Sequence, residues 1–399
     1  MSYLTEQAEQ AEQTGQQAEH MCRACRSRSG QVVLDLGEQP ACDYFPPAGD
    51  PGPDPRYPLQ MWLCSDCGLA QLGADPTAPE EPRGAEPAAL VAQAADAVAR
   101  AGSAGLLTAG STVTEYGSPH GGSWLGMLAD RGLTQAAAGG QADVIVDCFG
   151  MMHAADQAAA LAERAARLGA NGVLLLQYHA LSAIIRCGQW NALRHAHYAY
   201  YSTAALTGLL AAHGLRARDA YEFDLYGGTV LLAASRADAS WTGRPEAVRA
   251  LLADDASAGV TDPGVLSGLG RDAVAGAQGV RAWLTAQREE GRTVLGYGAA
   301  SRAVALLCRA GIGAGLLPAV ADASATKHGL RMPGTDIPVV SPAELAGSKP
   351  DAVLLFLADL RAEVRSAYPE VEAHGGRWVD ADSLAGWPEG GSASLEQDA

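Results

Sequence analysis

The chain has 399 residues, 48% of them hydrophobic, which suits two or three domains with buried cores and excludes wholesale disorder. Its 28 basic residues face 45 acidic ones, and the net charge of -17 excludes a phosphate-backbone or anionic-membrane binder. No apolar run reaches the ~20 residues that span a bilayer, and the Gln/Glu-rich start lacks the basic and apolar regions of a signal peptide, so a cytoplasmic setting is expected.

Residues 1–19 are polar and read as disordered. Residues 20–72 form a small domain around Cys22-Arg-Ala-Cys25 and Cys64-Ser-Asp-Cys67, with 38 residues between the pairs. Two such knuckles aim Cys22, Cys25, Cys64 and Cys67 at one tetrahedral zinc. Four sulfurs leave no open coordination position, so that zinc is structural, and Arg23 and Arg26 are placed to offset its tetrathiolate charge. Cys42, Cys148, Cys187 and Cys308 are scattered and read as small buried apolar residues. Residues 73–105 are a Pro-rich linker followed by an Ala-rich helix. From 106 to 240, strand-like runs (Thr112–Tyr116, Val144–Asp147, Val173–Gln177, Thr229–Ala233) alternate with helical ones (Trp124–Asp130, Ala158–Leu168, Ser202–Ala212). That alternation predicts a mainly parallel α/β sheet. Residues 241–385 open with a helical connection and repeat the pattern, with strands at Thr293–Tyr297, Leu317–Asp322, Val339–Val340, Val353–Phe356 and Trp378–Val379. Residues 386–399 read as a disordered tail.

Two glycine turns and a histidine cluster carry candidate chemistry. Glu115-Tyr116-Gly117-Ser118-Pro119-His120-Gly121-Gly122 lies between a strand and a helix, where backbone N–H groups can approach a ligand; a plain turn has the same pattern. Gly296-Tyr297-Gly298, followed by Ser301 and Arg302, forms a second such turn with a cation, either a phosphate site or a packing turn. His153, His179, His195 and His197 fall within 45 residues, beside Tyr178, Tyr198, Tyr200 and Tyr201, and two histidines in one pocket can divide base and acid roles. Arg194 can clamp a carboxylate, phosphate or sulfate through two parallel hydrogen bonds, or sit in a surface ion pair.

Leu34-Asp35-Leu36-Gly37-Glu38-Gln39-Pro40, Asp43-Tyr44-Phe45 and Leu63-Cys64-Ser65-Asp66-Cys67-Gly68-Leu69 near one end are specific, as are Gly296-Tyr297-Gly298-Ala299-Ala300-Ser301 and Met332-Pro333-Gly334-Thr335-Asp336-Ile337-Pro338-Val339 near the other. With these segments the chain resembles, from about 20 to 385, the zinc-containing sugar C-methyltransferases of deoxysugar biosynthesis. The resemblance implies an α/β protein of three parts: an N-terminal four-cysteine zinc domain, an S-adenosylmethionine domain and a C-terminal Rossmann-like domain. It places Glu115, Gly117, Ser118 and Gly121 on the cofactor loop, His153 on the later His-x-x-Asp, and His197 on the general base of a Tyr-His-Glu-His-Leu-Ser-Tyr segment. His195, Arg194 and Tyr200 fall in that segment too, and Tyr226-Gly227-Gly228-Thr229 matches a His-Gly-Gly-Ser.

The middle departs from that pattern. Pro119 and His120 replace an Asn-Asp, Ala196 replaces the Glu between the two histidines, and Arg194 replaces a Tyr. Only 20 residues separate Gly122 from Asp143, too few for the ~30-residue unit that would supply the second and third strands. The methyltransferase domain is therefore expected to be truncated, with an apolar sheet edge left for a partner chain, either a second copy or a different small protein. S-adenosylmethionine is expected to bind weakly or not at all. The resulting expectation is a repurposed enzyme of bacterial specialised metabolism that runs proton-transfer chemistry (elimination, epimerisation or ring closure) with His197 and His153. A phosphate- or sulfate-bearing substrate would then be held by Arg194 and by Tyr226, Gly298, Ser301 and Arg302. The competing readings are a cofactor-dependent sugar C-methyltransferase and a non-catalytic subunit.

Overall fold

The computed structural model describes residues 20–50, 52–77, 86–117, 122–240 and 243–387. Ser118, Pro119, His120 and Gly121 lie outside the described residues, as do 1–19 and the tail from 388. Trp387, assigned above to that tail, packs against the core.

In the N-terminal part, β1 (Gly30–Pro40) pairs antiparallel with β2 (Arg56–Cys64), and β2 with β3 (Ala70–Leu72). A fourth strand joins this sheet from far along the chain: Ala199–Tyr200, immediately after His197, pairs with β3. The zinc module thus extends its sheet with the backbone of the histidine segment.

The middle part opens with α1 (Ala88–Ser103), which buries Leu90, Ala94, Ala97, Val98 and Ala101 at helical spacing. There follow β4 (Thr112–Tyr116), α2 (Leu125–Ala129), β5 (Thr134–Gln135), β6 (Ala142–Cys148), α3 (Gln157–Arg167) and β7 (Leu168–His179). The part continues through α4 (Leu181–Arg186), β8 (Ala199–Tyr200), α5 (Thr203–Ala212), β9 (Leu215–Phe223) and β10 (Thr229–Arg236). Six strands form one sheet in the order β5-β4-β6-β7-β10-β9; β4 to β7 are parallel, and β10 runs antiparallel to both its neighbours. The near-continuous apolar burial of β6 is that of a central parallel strand. Asp156 and Ser202 cap α3 and α5 by accepting from Ala159 N and Ala205 N, each at 3.0 Å.

Two expectations change here. The expected loss of both strands is a loss of one and the reduction of the other to a stub: two-residue β5 pairs with β4, and among the described residues no strand lies beyond it. The edge is not apolar either, because Thr134 and Gln135 are both exposed.

The C-terminal part begins with α6 (Pro245–Ala258), α7 (Pro263–Leu266) and α8 (Gly268–Glu289). Next come β11 (Val294–Tyr297), α9 (Ser301–Ala310), β12 (Val320–Ala321), β13 (Val339–Val340), α10 (Pro342–Ser348), β14 (Ala352–Leu355), α11 (Arg361–Ala367) and β15 (Arg377–Asp380). All five strands are parallel, in the order β13-β12-β11-β14-β15. The chain leaves β11 toward β12 and later returns on the other side as β14, so a crevice opens at the carboxyl end of β11. Shared cores lock the parts together: Val33, Leu36 and Met61 of the zinc module pack with Trp283 and Leu307 of the C-terminal part, and Trp62 packs with Leu174 and Leu206 of the middle. Among the described residues no helix is long and apolar enough to cross a membrane.

Candidate active site

The sulfur atoms of Cys22, Cys25, Cys64 and Cys67 all lie within 4.8 Å of one another, a donor set that fits a tetrahedral zinc. Each knuckle closes through a left-handed residue, Arg26 at φ 66° and Gly68 at φ 71°, whose amide bonds back to the first cysteine's carbonyl at 3.0 Å. Of the two arginines beside the first knuckle, Arg23 interacts electrostatically with Cys22. Arg23 donates to the carbonyls of Leu72, Gly73 and Ala155 and lies 4.6 Å over the Tyr198 ring, while Arg26 pairs with Asp156. Both tie the module to the middle part.

A cavity of about 260 Å³ opens between the middle and C-terminal sheets. The ends of β6 and β7 contribute Phe149, Met152, Tyr178 and His179, and the turn before β10 contributes Tyr226. Arg194 and His197 come from the segment before β8, and Gly298, Ser301, Arg302, Asp322, Ser324 and Lys327 come from the C-terminal crevice. Arg194 donates to Ser301 Oγ and, at 3.3 Å, to His197 Nδ1, and its buried Nε has no hydrogen-bond partner. Arg302 lies 5.0 Å over the Tyr226 ring, and the carboxylates of Asp359 and Asp382 act on its charge. Burial, then the charge of Arg194, lowers its pKa. A buried donor without a partner costs ~1–3 kcal/mol, more when charged, so an anion arriving here regains that energy. Lys327 is buried behind them, held by the Ala299 carbonyl at 2.8 Å.

The hydrogen bonds fix the histidine tautomers. A guanidinium only donates, so Arg194 makes His197 Nδ1 an acceptor, and neutral His197 carries its proton on Nε2. His153 Nδ1 lies 3.0 Å from the Ala196 carbonyl, which only accepts, so His153 is protonated there and its Nε2 is the basic atom. The two rings stand 4.3 Å apart between centroids, His197 in the cavity wall and His153 behind it. Ala196 holds this pair with a left-handed φ of 63°, its amide donating to Asp75 Oδ2 at 2.7 Å. His195 is not in the cavity: it is buried against the zinc module, with Nε2 3.3 Å from the Pro58 carbonyl. Tyr200 lines the cavity, but its hydroxyl accepts from Arg194 N at 3.0 Å and donates to Arg194 O, so it braces the segment.

Only the flanks of the first glycine turn, up to Gly117 and from Gly122, are among the described residues. Glu115 spends its carboxylate on Ser123 Oγ and Trp124 N, at 2.5 and 2.6 Å, at the start of α2. A Cβ at Gly150 would lie 3.2 Å from the carbonyls of Tyr116 and Gly117, so the exits of β4 and β6 pack directly together. Asp147 at the end of β6 is buried and paired with Arg164 at 2.5 Å. Neither Glu115 nor Gly117 lines the cavity. Asp322 and Lys327 do line it and went unrecognised in the sequence. The signal for Asp322 was available: an acid at the end of the strand after a glycine turn, roughly 20 residues on, is the ribose position of a nucleotide-binding unit.

Residues 224–381 match the C-methyltransferase C-terminal domain, and residues 22–81 match a zinc binding domain. The chain is 26% identical to the C-methyltransferase NovU of Streptomyces niveus over 90% of its own length and 94% of that protein's. Partial overlays exist with magnesium protoporphyrin IX methyltransferase of Synechocystis (12% identity, 37% of this chain and 84% of that one, TM-score 0.28). Another is with an O-methyltransferase family protein of Burkholderia thailandensis (16%, 38% and 57%, TM-score 0.28). The chain thus carries matches to a zinc binding domain and a C-methyltransferase C-terminal domain, and it is similar to a C-methyltransferase along most of its length.

Proposed function

We propose that this chain is an enzyme that moves a proton on a phosphate-bearing small molecule, of the nucleotide-linked sugar type, without using S-adenosylmethionine. One observation carries the reading: His197 shares one cavity with the guanidinium groups of Arg194 and Arg302. The phosphate sits between Arg194 and Arg302 at the N-terminus of α9, where dipole and charge add. A ribose diol reaches Asp322. His197, the histidine of the pair in the cavity wall, is the acid–base group that moves the proton next to a substrate carbonyl, and His153, its ring 4.3 Å away between centroids and outside the cavity lining, positions it. Loss or gain of a proton next to that carbonyl is the step common to epimerisation, elimination and ring closure.

The test is solvent deuterium exchange. Zinc-loaded protein freed of S-adenosylmethionine is incubated in D2O with a nucleoside-diphosphate keto sugar. Deuterium is expected next to the carbonyl, and His197→Ala is expected to slow its entry ~10²–10⁴-fold. Turnover that strictly requires S-adenosylmethionine and yields a methylated sugar would replace this reading. That second reading, C-methylation at the same carbon, is favoured by the 26% identity to a C-methyltransferase across 90% of the chain.

A further inference from the structure

His179 lies on none of the positions that the family resemblance assigns. It ends β7, the strand beside β6, at the carboxyl edge of the middle sheet where ligands of parallel sheets bind. The residue is only 8% exposed, yet it lines the cavity that holds Arg194 and Arg302. Its Nε2 is buried without a hydrogen-bond partner, as is Nε of Arg194. Two buried polar atoms left unmade in one cavity mark a place completed by a ligand.

Resting on the proposed anion site, we infer that His179 is a further substrate-contacting residue that takes up a proton as the anion settles between Arg194 and Arg302. The surroundings account for the coupling. The Tyr226 ring stands 6.0 Å from the imidazole. Burial first, then the charges of Arg302 and Arg194, push its pKa down to about 3 against the opposing pull of the Tyr226 backbone and the Gln189 side chain, so the ring is neutral without an anion. The other ionisable groups on the cavity are His197, Lys327, Asp322, Tyr178, Tyr200, Tyr201, Tyr226 and Tyr297, with Glu86 just before α1 and Glu363 on α11 at its margin, while Asp359 and Asp382 act on Arg302. A phosphate offsets both guanidinium charges and offers an oxygen to a protonated Nε2, so binding and protonation favour each other. No covalent step is involved; the proton comes from solvent.

Histidine ring resonances test this, with inorganic pyrophosphate as the probe. His179→Gln assigns the signal among the nine histidines, and wild-type protein is titrated with acid in the absence and presence of saturating pyrophosphate. Without the anion, His179 is expected to stay neutral through the acid range in which the protein remains folded. With it, the midpoint is expected to rise by ~3 units or more, into the range where the ring carries its proton near neutral pH. Calorimetry is expected to show pyrophosphate binding weakened ~10-fold or more by His179→Gln and lost in Arg302→Met. If pyrophosphate binds and Arg302→Met abolishes it, while the His179 midpoint stays put and His179→Gln binds normally, the inference is overturned and the anion site stands. If wild-type protein binds no pyrophosphate, the anion reading falls and takes this inference with it.

Discussion

At the scale of single residues, the chemistry depends on which polar groups are already spent. Asp147 and Arg164 form an ion pair with side chains 1% and 6% exposed, and Asp147 also accepts from Met151 N at 2.9 Å. Removing one member strands a buried charge, so Asp147→Ala is expected to cost ~3–5 kcal/mol in urea unfolding. A loss near zero would free Asp147 for a ligand after all. His179 gives a second residue-scale expectation. Its folded pKa of about 3 lies below the ~6.5 of an unfolded histidine, so the unfolded chain takes up the proton first as pH falls. Stability is therefore lost progressively from pH ~6.5 downward, and His179→Gln should flatten that slope; an unchanged slope would contradict the burial argument. The sequence showed these residues but not their partners. His195 and His197 are two positions apart, yet one turns into the zinc module and the other into the cavity, because Ala196 between them adopts a left-handed backbone. Nothing in the residue types signals that turn.

Among elements, the sequence was most legible where one pattern dominated. The apolar runs of β6 and β7 and the glycine turn after β11 read correctly because burial on both faces or a fixed turn geometry leaves few alternatives. The strand β9 went unseen: Arg216, Arg218 and Asp219 interrupt its apolar pattern, and only the structure supplies their partners, Ser235 for Arg218 and Arg244 for Asp219. Strand β8 was hidden for the opposite reason, being two residues whose pairing partner, β3, lies more than a hundred residues away. That pairing makes the zinc module a support for the site. Zinc removal by a chelator should therefore speed amide hydrogen exchange at Ala199 and Tyr200 along with the knuckles; exchange confined to residues 22–67 would contradict it. Helix α5 offers a further check. Asp255 on α6 accepts from Ala204 N at 2.8 Å, and burial pushes its pKa up to about 6. The unfolded carboxyl ionises from pH ~4, so this group withdraws stability as pH rises from ~4 through 6. Asp255→Asn keeps the acceptor and should remove that decline, so a variant less stable than wild type at pH ~8 would refute it.

At the scale of the molecule, three sheets converge on one cavity. The zinc sheet holds the segment of Arg194 and His197 through β8, the middle sheet supplies the ends of β6 and β7, and the C-terminal crevice supplies Arg302, Lys327 and Asp322. Next to β4 the middle sheet ends in the two-residue β5. The central claim is that the shared cavity works without the cofactor the fold type is named for. Calorimetric titration of zinc-loaded protein with S-adenosylhomocysteine tests it most directly. The claim predicts no saturable heat up to millimolar ligand, with pyrophosphate still binding in the same preparation. A dissociation constant in the micromolar range, about -8 kcal/mol of binding free energy, would contradict it and restore methyl transfer as the reaction.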